Sequence, residues 1–150
     1  MLNCSKTGGF VLKILPYKRK VQYYENDSMG AVHHAKYILW FEEARVDFME
    51  QLGFGYEKSV ASGIDIILTS LSCDFKSMAC FGETVTIELS ISKIDPIRMT
   101  VEYRVTDTET GKLRTTGETK HCFYHRQKGR PVSLKKALPE LYELFLSAVA

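Results

Sequence analysis

Between about residues 34 and 52 the apolar side chains return every three or four positions: Tyr37, Trp40, Phe41, Ala44, Phe48 and Leu52. That period marks one face of a helix. Ile38, Leu39, Val46 and Met49 add apolar surface outside the stripe, which predicts a helix buried on most sides. Gly53 follows the last periodic residue, as a helix-ending C′ glycine does. Beyond it the period changes to two. Leu71, Cys73 and Phe75 alternate with Ser70, Ser72 and Asp74 in a run over about 64–75. Val85, Ile87, Leu89 and Ile91 alternate with Thr84, Thr86, Glu88 and Ser90, and Met99, Val101, Tyr103 and Val105 with Thr100, Glu102, Arg104 and Thr106. A fourth run, about 112–125, is rich in threonine and aromatics. Strict alternation predicts strands with one buried face.

The connections sharpen this pattern. Asp95-Pro96 and Thr110-Gly111 are turn chemistry, so the later strands are expected to pair as antiparallel hairpins. Residues 17–24, with Val21, Tyr23 and Tyr24 at their end, read as a first strand, and Pro16 limits its backward extent. The polar stretch Glu25 to Gly30 reads as a turn. A second amphipathic helix is expected over about 135–148, with Pro139 early in it. The order strand, helix, strand meander gives an α+β fold: an antiparallel sheet of five to six strands that curls around one long helix, followed by a C-terminal helix.

At 150 residues the chain fits one domain, 1–150. Its net charge is only +2, and its densest basic run, Lys18-Arg19-Lys20, is short, so it reads as a solvated strand start and nucleic acid is not an expected partner. No run approaches the ~20 apolar residues of a membrane-spanning helix, and Met1 to Phe10 lacks the apolar core of a signal peptide. The cysteines at 4, 73, 80 and 122 have no metal-knuckle or redox spacing. They read as free thiols of a reducing compartment, which points to the cytoplasm.

Candidate chemistry gathers between the first strand and the long helix. Asp27 lies in the turn, and His33 and His34 stand at the helix start, where unpaired N–H groups and the helix dipole favour negative charge. Such N–H groups can hold a carbonyl oxygen as it becomes an oxyanion, and a nearby carboxylate can attack the carbonyl or activate water. Acyl transfer to water suits these parts. Each also has a structural reading: Asp27 as a turn or cap residue, His34 as a histidine bonded to backbone, His33 as a side chain that faces solvent or packs at the helix entry, and Glu42 and Glu43 as helix charges, one of which could reach a cleft. The histidines and Glu42 or Glu43 match no metal spacing, so no metal is expected.

The block from Tyr23 to Gly53 carries a longer pattern: Glu25-Asn26-Asp27, then Gly30-Ala31-Val32-His33-His34-Ala35-Lys36-Tyr37, then Phe41-Glu42-Glu43-Ala44-Arg45, then Leu52-Gly53. It resembles the 4-hydroxybenzoyl-CoA thioesterase family, hotdog-fold acyl-CoA thioesterases that include the Tol-Pal-associated type. Two positions depart from the family pattern: its first Asp is Glu25 here, and a common Tyr is His33. The resemblance implies Asp27 as nucleophile or general base, with His34 and Tyr23 assisting. It also implies the backbone N–H groups of His34 and Ala35 as carbonyl-polarising donors, and Gly30, Val32, Tyr37 and Phe41 as substrate-binding positions.

The same resemblance implies hydrolysis of a short- or medium-chain or aromatic acyl-CoA, with coenzyme A as part of the substrate and no separate cofactor. It implies a homodimer or homotetramer with active sites at the interface. Lys76, Arg98, Arg126, Lys128 and Arg130 are basic residues that could meet the coenzyme phosphates. The competing readings are a hotdog dehydratase acting on hydroxyacyl-carrier substrates, whose proline-glycine motif is missing here, and a non-catalytic acyl-CoA-binding module, for which Asp27 would have no use.

Overall fold

The computed structural model describes residues 13–150; Cys4 and the Met1 to Phe10 segment lie outside them. The long helix, α1, spans His34–Gln51, and a short α2 follows at Tyr56–Ser62. The strands are β1 (Tyr17–Lys20), β2 (Ile64–Phe75), β3 (Thr84–Ile94), β4 (Arg98–Asp107), β5 (Leu113–His125) and β6 (Arg130–Pro131). The chain ends in α3 (Leu134–Ala137) and α4 (Pro139–Ser147).

The sheet is antiparallel with the order β1-β3-β4-β5-β2, and β6 pairs with β5. The two predicted hairpins are present: β3 pairs with β4 and β4 with β5. Asp95 Oδ1 accepts the N–H groups of Ile97 and Arg98, and Asp107 Oδ1 accepts those of Glu109 and Thr110, which closes both turns. The meander is incomplete, however. β2 passes over to the far side of β5 and becomes an edge, pairing from Ile64–His125 to Phe75–Thr115. Register shifts at Leu68/Ser70, Ile91/Lys93 and Val105/Thr106 bend the strands and deepen their twist.

The curled sheet receives α1 on its concave face. Tyr37, Trp40, Phe41, Ala44 and Phe48 are the buried residues of the helix, and they meet Val85, Ile87, Ile91, Val101, Tyr103 and Val105 in one core. Phe41 stacks on Tyr103 with ring centroids 4.3 Å apart. This approach depends on Gly117 in β5, because a Cβ there would lie 2.5 Å from the Phe41 ring. Removing a ring of this size costs about 3–5 kcal/mol in most cores. The helix ends as expected: Gly53 has φ +76, its N–H donates to Glu50, and that of Phe54 donates to Met49.

Four expectations change. The strand at 17–24 stops at Lys20, and Tyr23–Glu25 form a 3-10 turn. Arg19 is not a solvated charge, since it turns inward onto Glu25 and Glu43. The C-terminal helix is two helices, broken at Leu138, where Pro139 starts the second. Nor is α1 buried on most sides: Ile38, Leu39 and Val46 are exposed, because a single sheet covers one flank only.

Candidate active site

The turn ahead of α1 is built around a buried carboxylate. Glu25 Oε1 accepts from Arg19 at 2.6 Å and from the Gln22 N–H at 2.8 Å, while Oε2 accepts from Trp40 Nε1 at 2.7 Å. The Arg19 guanidinium also lies 4.9 Å from the Trp40 ring centre. Burial pushes the Glu25 carboxyl up, but the bonds from Arg19, Gln22 and Trp40 outweigh it and hold the group below the usual glutamate value. The Glu25 carbonyl accepts the His33 N–H at 2.8 Å, so this knot fixes both ends of the intervening loop.

Asp27 sits inside that loop. Its N–H donates to the Ala31 carbonyl and its carbonyl accepts from Gly30, which has φ +77. Gly30 therefore supplies the left-handed corner that few other residues adopt easily. The Asp27 carboxylate accepts one hydrogen bond, from the Met29 N–H to Oδ1 at 2.8 Å. Among the described residues Oδ2 has no donor.

At the helix start His33 is the N-cap, and its Nδ1 accepts the Ala35 N–H at 3.1 Å. Ala35 is thereby engaged. No acceptor takes the His34 N–H among the described residues, which leaves it as the open donor of the first turn. The His33 and His34 rings lie 4.0 Å apart. Val32 is pinned by its N–H to the Ala79 carbonyl, and Tyr37 Oη accepts the Ala79 N–H at 3.4 Å.

These pieces share one open cleft of about 690 Å³. Asp27, Val32, His34 and Tyr37 line it together with Phe75, Met78 and Cys80, and Lys76, Lys112 and Arg114 add positive charge. Arg114 is committed to Glu83 and Asp107. Lys76 and Lys112 have no carboxylate within salt-bridge distance among the described residues.

The remaining candidates lie elsewhere. Tyr23 is exposed and packs edge-on against Phe81, Gly30 shapes the turn, and Phe41 is fully buried in the core. Of the basic residues, Lys76 reaches the cleft, whereas Arg126 pairs with Asp65 and Arg98, Lys128 and Arg130 are not among its lining residues. Phe75, Met78, Lys112 and Arg114 were not legible as site residues. They come from the end of β2, the loop after it and the start of β5, and only the fold brings them to Asp27. No group of His, Cys, Asp and Glu able to hold a metal occurs among the described residues.

A curled antiparallel sheet around a helix, with a carboxylate and an open N–H at the helix mouth, defines a hotdog-fold protein equipped for acyl transfer. The chain belongs to the thioesterase-like superfamily, whose sequence model matches residues 21–142. A protein of Aquifex aeolicus is 31% identical over 125 residues, covering 83% of this chain and 94% of that protein. The acyl-CoA thioesterase YbgC of Helicobacter pylori (strain J99) is 26% identical over 137 residues, covering 87% and 98%. Among solved structures, the DHNA-CoA thioesterase of Staphylococcus aureus superposes with a TM-score of 0.82 at 29% identity, covering 88% of each chain.

Proposed function

We propose that this protein hydrolyses acyl-CoA thioesters, with the carbonyl oxygen held by the His34 N–H and Asp27 as nucleophile or general base. One observation carries the reading: Asp27, with one oxygen free of donors among the described residues, and His34, whose N–H meets no acceptor among them, line the same cleft. The N–H at the helix start would strengthen its bond as negative charge develops on the oxygen, which lowers the barrier. Coenzyme A leaves as a thiolate and requires no strong acid from the protein. Lys76 and Lys112 supply charge for its phosphates, and Val32, Tyr37 and Phe75 offer an apolar wall to the acyl group. The aromatic members of that wall, together with the 29% identity to a DHNA-CoA thioesterase, favour an aromatic acyl group over an aliphatic one. His34 flanks the reacting atoms and assists by orienting water.

The test is thiol release over a panel of aromatic and straight-chain acyl-CoAs, with wild type and Asp27→Asn. Turnover by wild type that is lost in the folded variant supports the reading; equal rates in both sink the role of Asp27. A single turnover in ¹⁸O water separates the two roles, since label appears in the Asp27 carboxylate only if it attacks.

The proposed assembly is a homodimer or homotetramer joined through β2. This strand is twelve residues long, lies at a sheet edge, and exposes Ile67, Leu68 and Phe75, and α1 exposes Ile38 and Val46. Long bare edges favour strand pairing, and Phe75 would carry the interface into the cleft. Light scattering of wild type and Ile67→Lys tests it, a monomer being expected for the variant. Cys73, Cys80 and Cys122 are free thiols, which fits a reducing, cytoplasmic setting. No helix among the described residues is long and apolar enough to cross a membrane.

A further inference from the structure

Of the N–H groups that open α1, those of Lys36 and Ala35 are both taken by His33. Lys36 donates to the His33 carbonyl at 2.9 Å, and Ala35 donates to His33 Nδ1 at 3.1 Å. The N–H of His34 meets no acceptor among the described residues. His33 is itself clamped. Its own N–H donates to the Glu25 carbonyl at 2.8 Å, and the Val32 N–H before it donates to the Ala79 carbonyl at 2.9 Å.

The ring chemistry follows from the bond to Ala35. A backbone N–H only donates, so Nδ1 must bring a lone pair, which puts the ring proton on Nε2. Nδ1 is bonded to Cγ, the place that Oδ1 takes in an asparagine N-cap, and it accepts the N–H two residues on in the same way. A phenyl ring has carbon at that place and accepts nothing there. The His33 ring also lies against that of His34, with centroids 4.0 Å apart. His34 lines the Asp27 cleft, whereas His33 is not among its lining residues. Any effect of His33 on a substrate therefore passes through the first turn.

We propose that His33 is a positioning residue: its Nδ1 withdraws the Ala35 N–H and holds the first turn, so that a thioester carbonyl meets one aimed donor, the His34 N–H. The inference rests on the thioesterase reading above and goes beyond it by naming what selects the donor. The His34 N–H and the His33 carbonyl share one rigid peptide plane, and Lys36 holds it. The next plane carries the Ala35 N–H, and Nδ1 holds that one. With both planes fixed, the open donor keeps its direction as charge develops on the carbonyl oxygen, which is where such a donor acts.

Two variants separate acceptor from ring. His33→Asn keeps an acceptor at the cap and removes the ring; His33→Phe keeps a ring and removes the acceptor. In the wild-type chain carrying ¹⁵N-labelled histidine, His33 is expected as the Nε2–H tautomer, and the Ala35 amide should exchange with solvent at least about tenfold more slowly than that of His34. His33→Phe should lose this protection. Its kcat, per folded enzyme and on the acyl-CoA that wild type turns over fastest, should fall about tenfold, with KM changed by no more than about twofold. His33→Asn should recover most of that loss. An Nδ1–H tautomer in wild type, a kcat of His33→Phe equal to or above wild type, or a His33→Asn as impaired as His33→Phe would overturn the proposal. Absence of turnover by wild type would sink the thioesterase reading instead, and the tautomer and exchange rates would still decide whether His33 holds the Ala35 N–H.

Discussion

Glu25 and Asp27 are carboxylates two residues apart in one turn, placed in opposite circumstances. Glu25 is 3% exposed, and its two oxygens receive Arg19, the Gln22 N–H and Trp40 Nε1. Asp27 is half-buried and, among the described residues, receives only the Met29 N–H. A buried carboxylate with donors on both oxygens leaves neither oxygen free for a substrate, so Glu25 acts as an anchor. A carboxylate held by one bond is oriented yet retains a free oxygen, which is the condition for a nucleophile or base. Chemical type and sequence neighbourhood are nearly shared; the difference is how many donors the fold brings to each.

The largest expected effect breaks this comparison on the Asp27 side. Asp27→Asn should lower kcat about 10³-fold, roughly 4 kcal/mol of barrier, and shift Tm by no more than about 2 °C. Steady-state thiol release and a thermal melt on the same sample check both. Glu25→Ala should do the reverse in kind. It leaves the Arg19 charge and the Trp40 N–H buried without their partner, a loss of about 3–5 kcal/mol that lowers Tm by roughly 10 °C. A urea titration that finds Glu25→Ala as stable as wild type would end its role as anchor.

Acid separates the two carboxylates further. The folded-state value of Glu25 lies below its ordinary 4.5, so its contribution is present above that pH and is lost as pH falls through the folded value. Glu25→Gln should therefore have a flatter acid limb than wild type.

At the other end of α1, His121 adds a separate dependence. Its folded value is about 4 against 6.5. Above pH 6.5 both states are neutral and nothing is lost. As pH falls from 6.5 to 4 the unfolded chain takes up a proton that the fold refuses, and stability declines by at most about 3 kcal/mol. Denaturation between these pH values, compared with His121→Gln, measures it. The smallest effect is at the cap: His33→Ala should cost about 1 kcal/mol. It also releases the Ala35 N–H as a second open donor, so any gain or loss of kcat beside that cost shows whether one donor suffices.

Much of the scaffold was legible along the chain. The helix stripe from Tyr37 to Leu52 located α1, and alternation located β2, β3 and β4, because burial of one face imposes periods of 3.6 and two; the threonine- and aromatic-rich run located β5. The hairpins followed from Asp95-Pro96 and Thr110-Gly111. The failures share a cause. Val21 to Tyr24 look like a continuing strand, but Glu25 is drawn into a buried knot and the backbone must turn to follow it. Arg19 looks like one of three surface charges until Glu25 and Glu43 arrive from elsewhere in the chain. Leu138 looks helical by pattern, yet the residue before Pro139 is forced out of the helical region. Asp27, His34, Val32 and Tyr37 line one cleft, whereas Phe41 satisfied the pattern and went to the core.

By itself, then, the sequence determined the local grammar of this protein: which segments repeat with which period, where turns close, and that a carboxylate precedes the mouth of a helix. Those properties depend on neighbours a few residues away. Only the tertiary structure decided that β2 becomes an edge, that the Ala35 N–H is capped while that of His34 meets no acceptor among the described residues, that Lys112 and Phe75 share a cleft with Asp27, and that His121 ends a buried hydrogen-bonded chain with Thr119 and Tyr103. The physical reason is that hydrogen bonds and burial are allocated in space. A donor that saturates Glu25 or spares Asp27 comes from wherever the folded chain places it, and the spacing of residues along the sequence does not record that allocation.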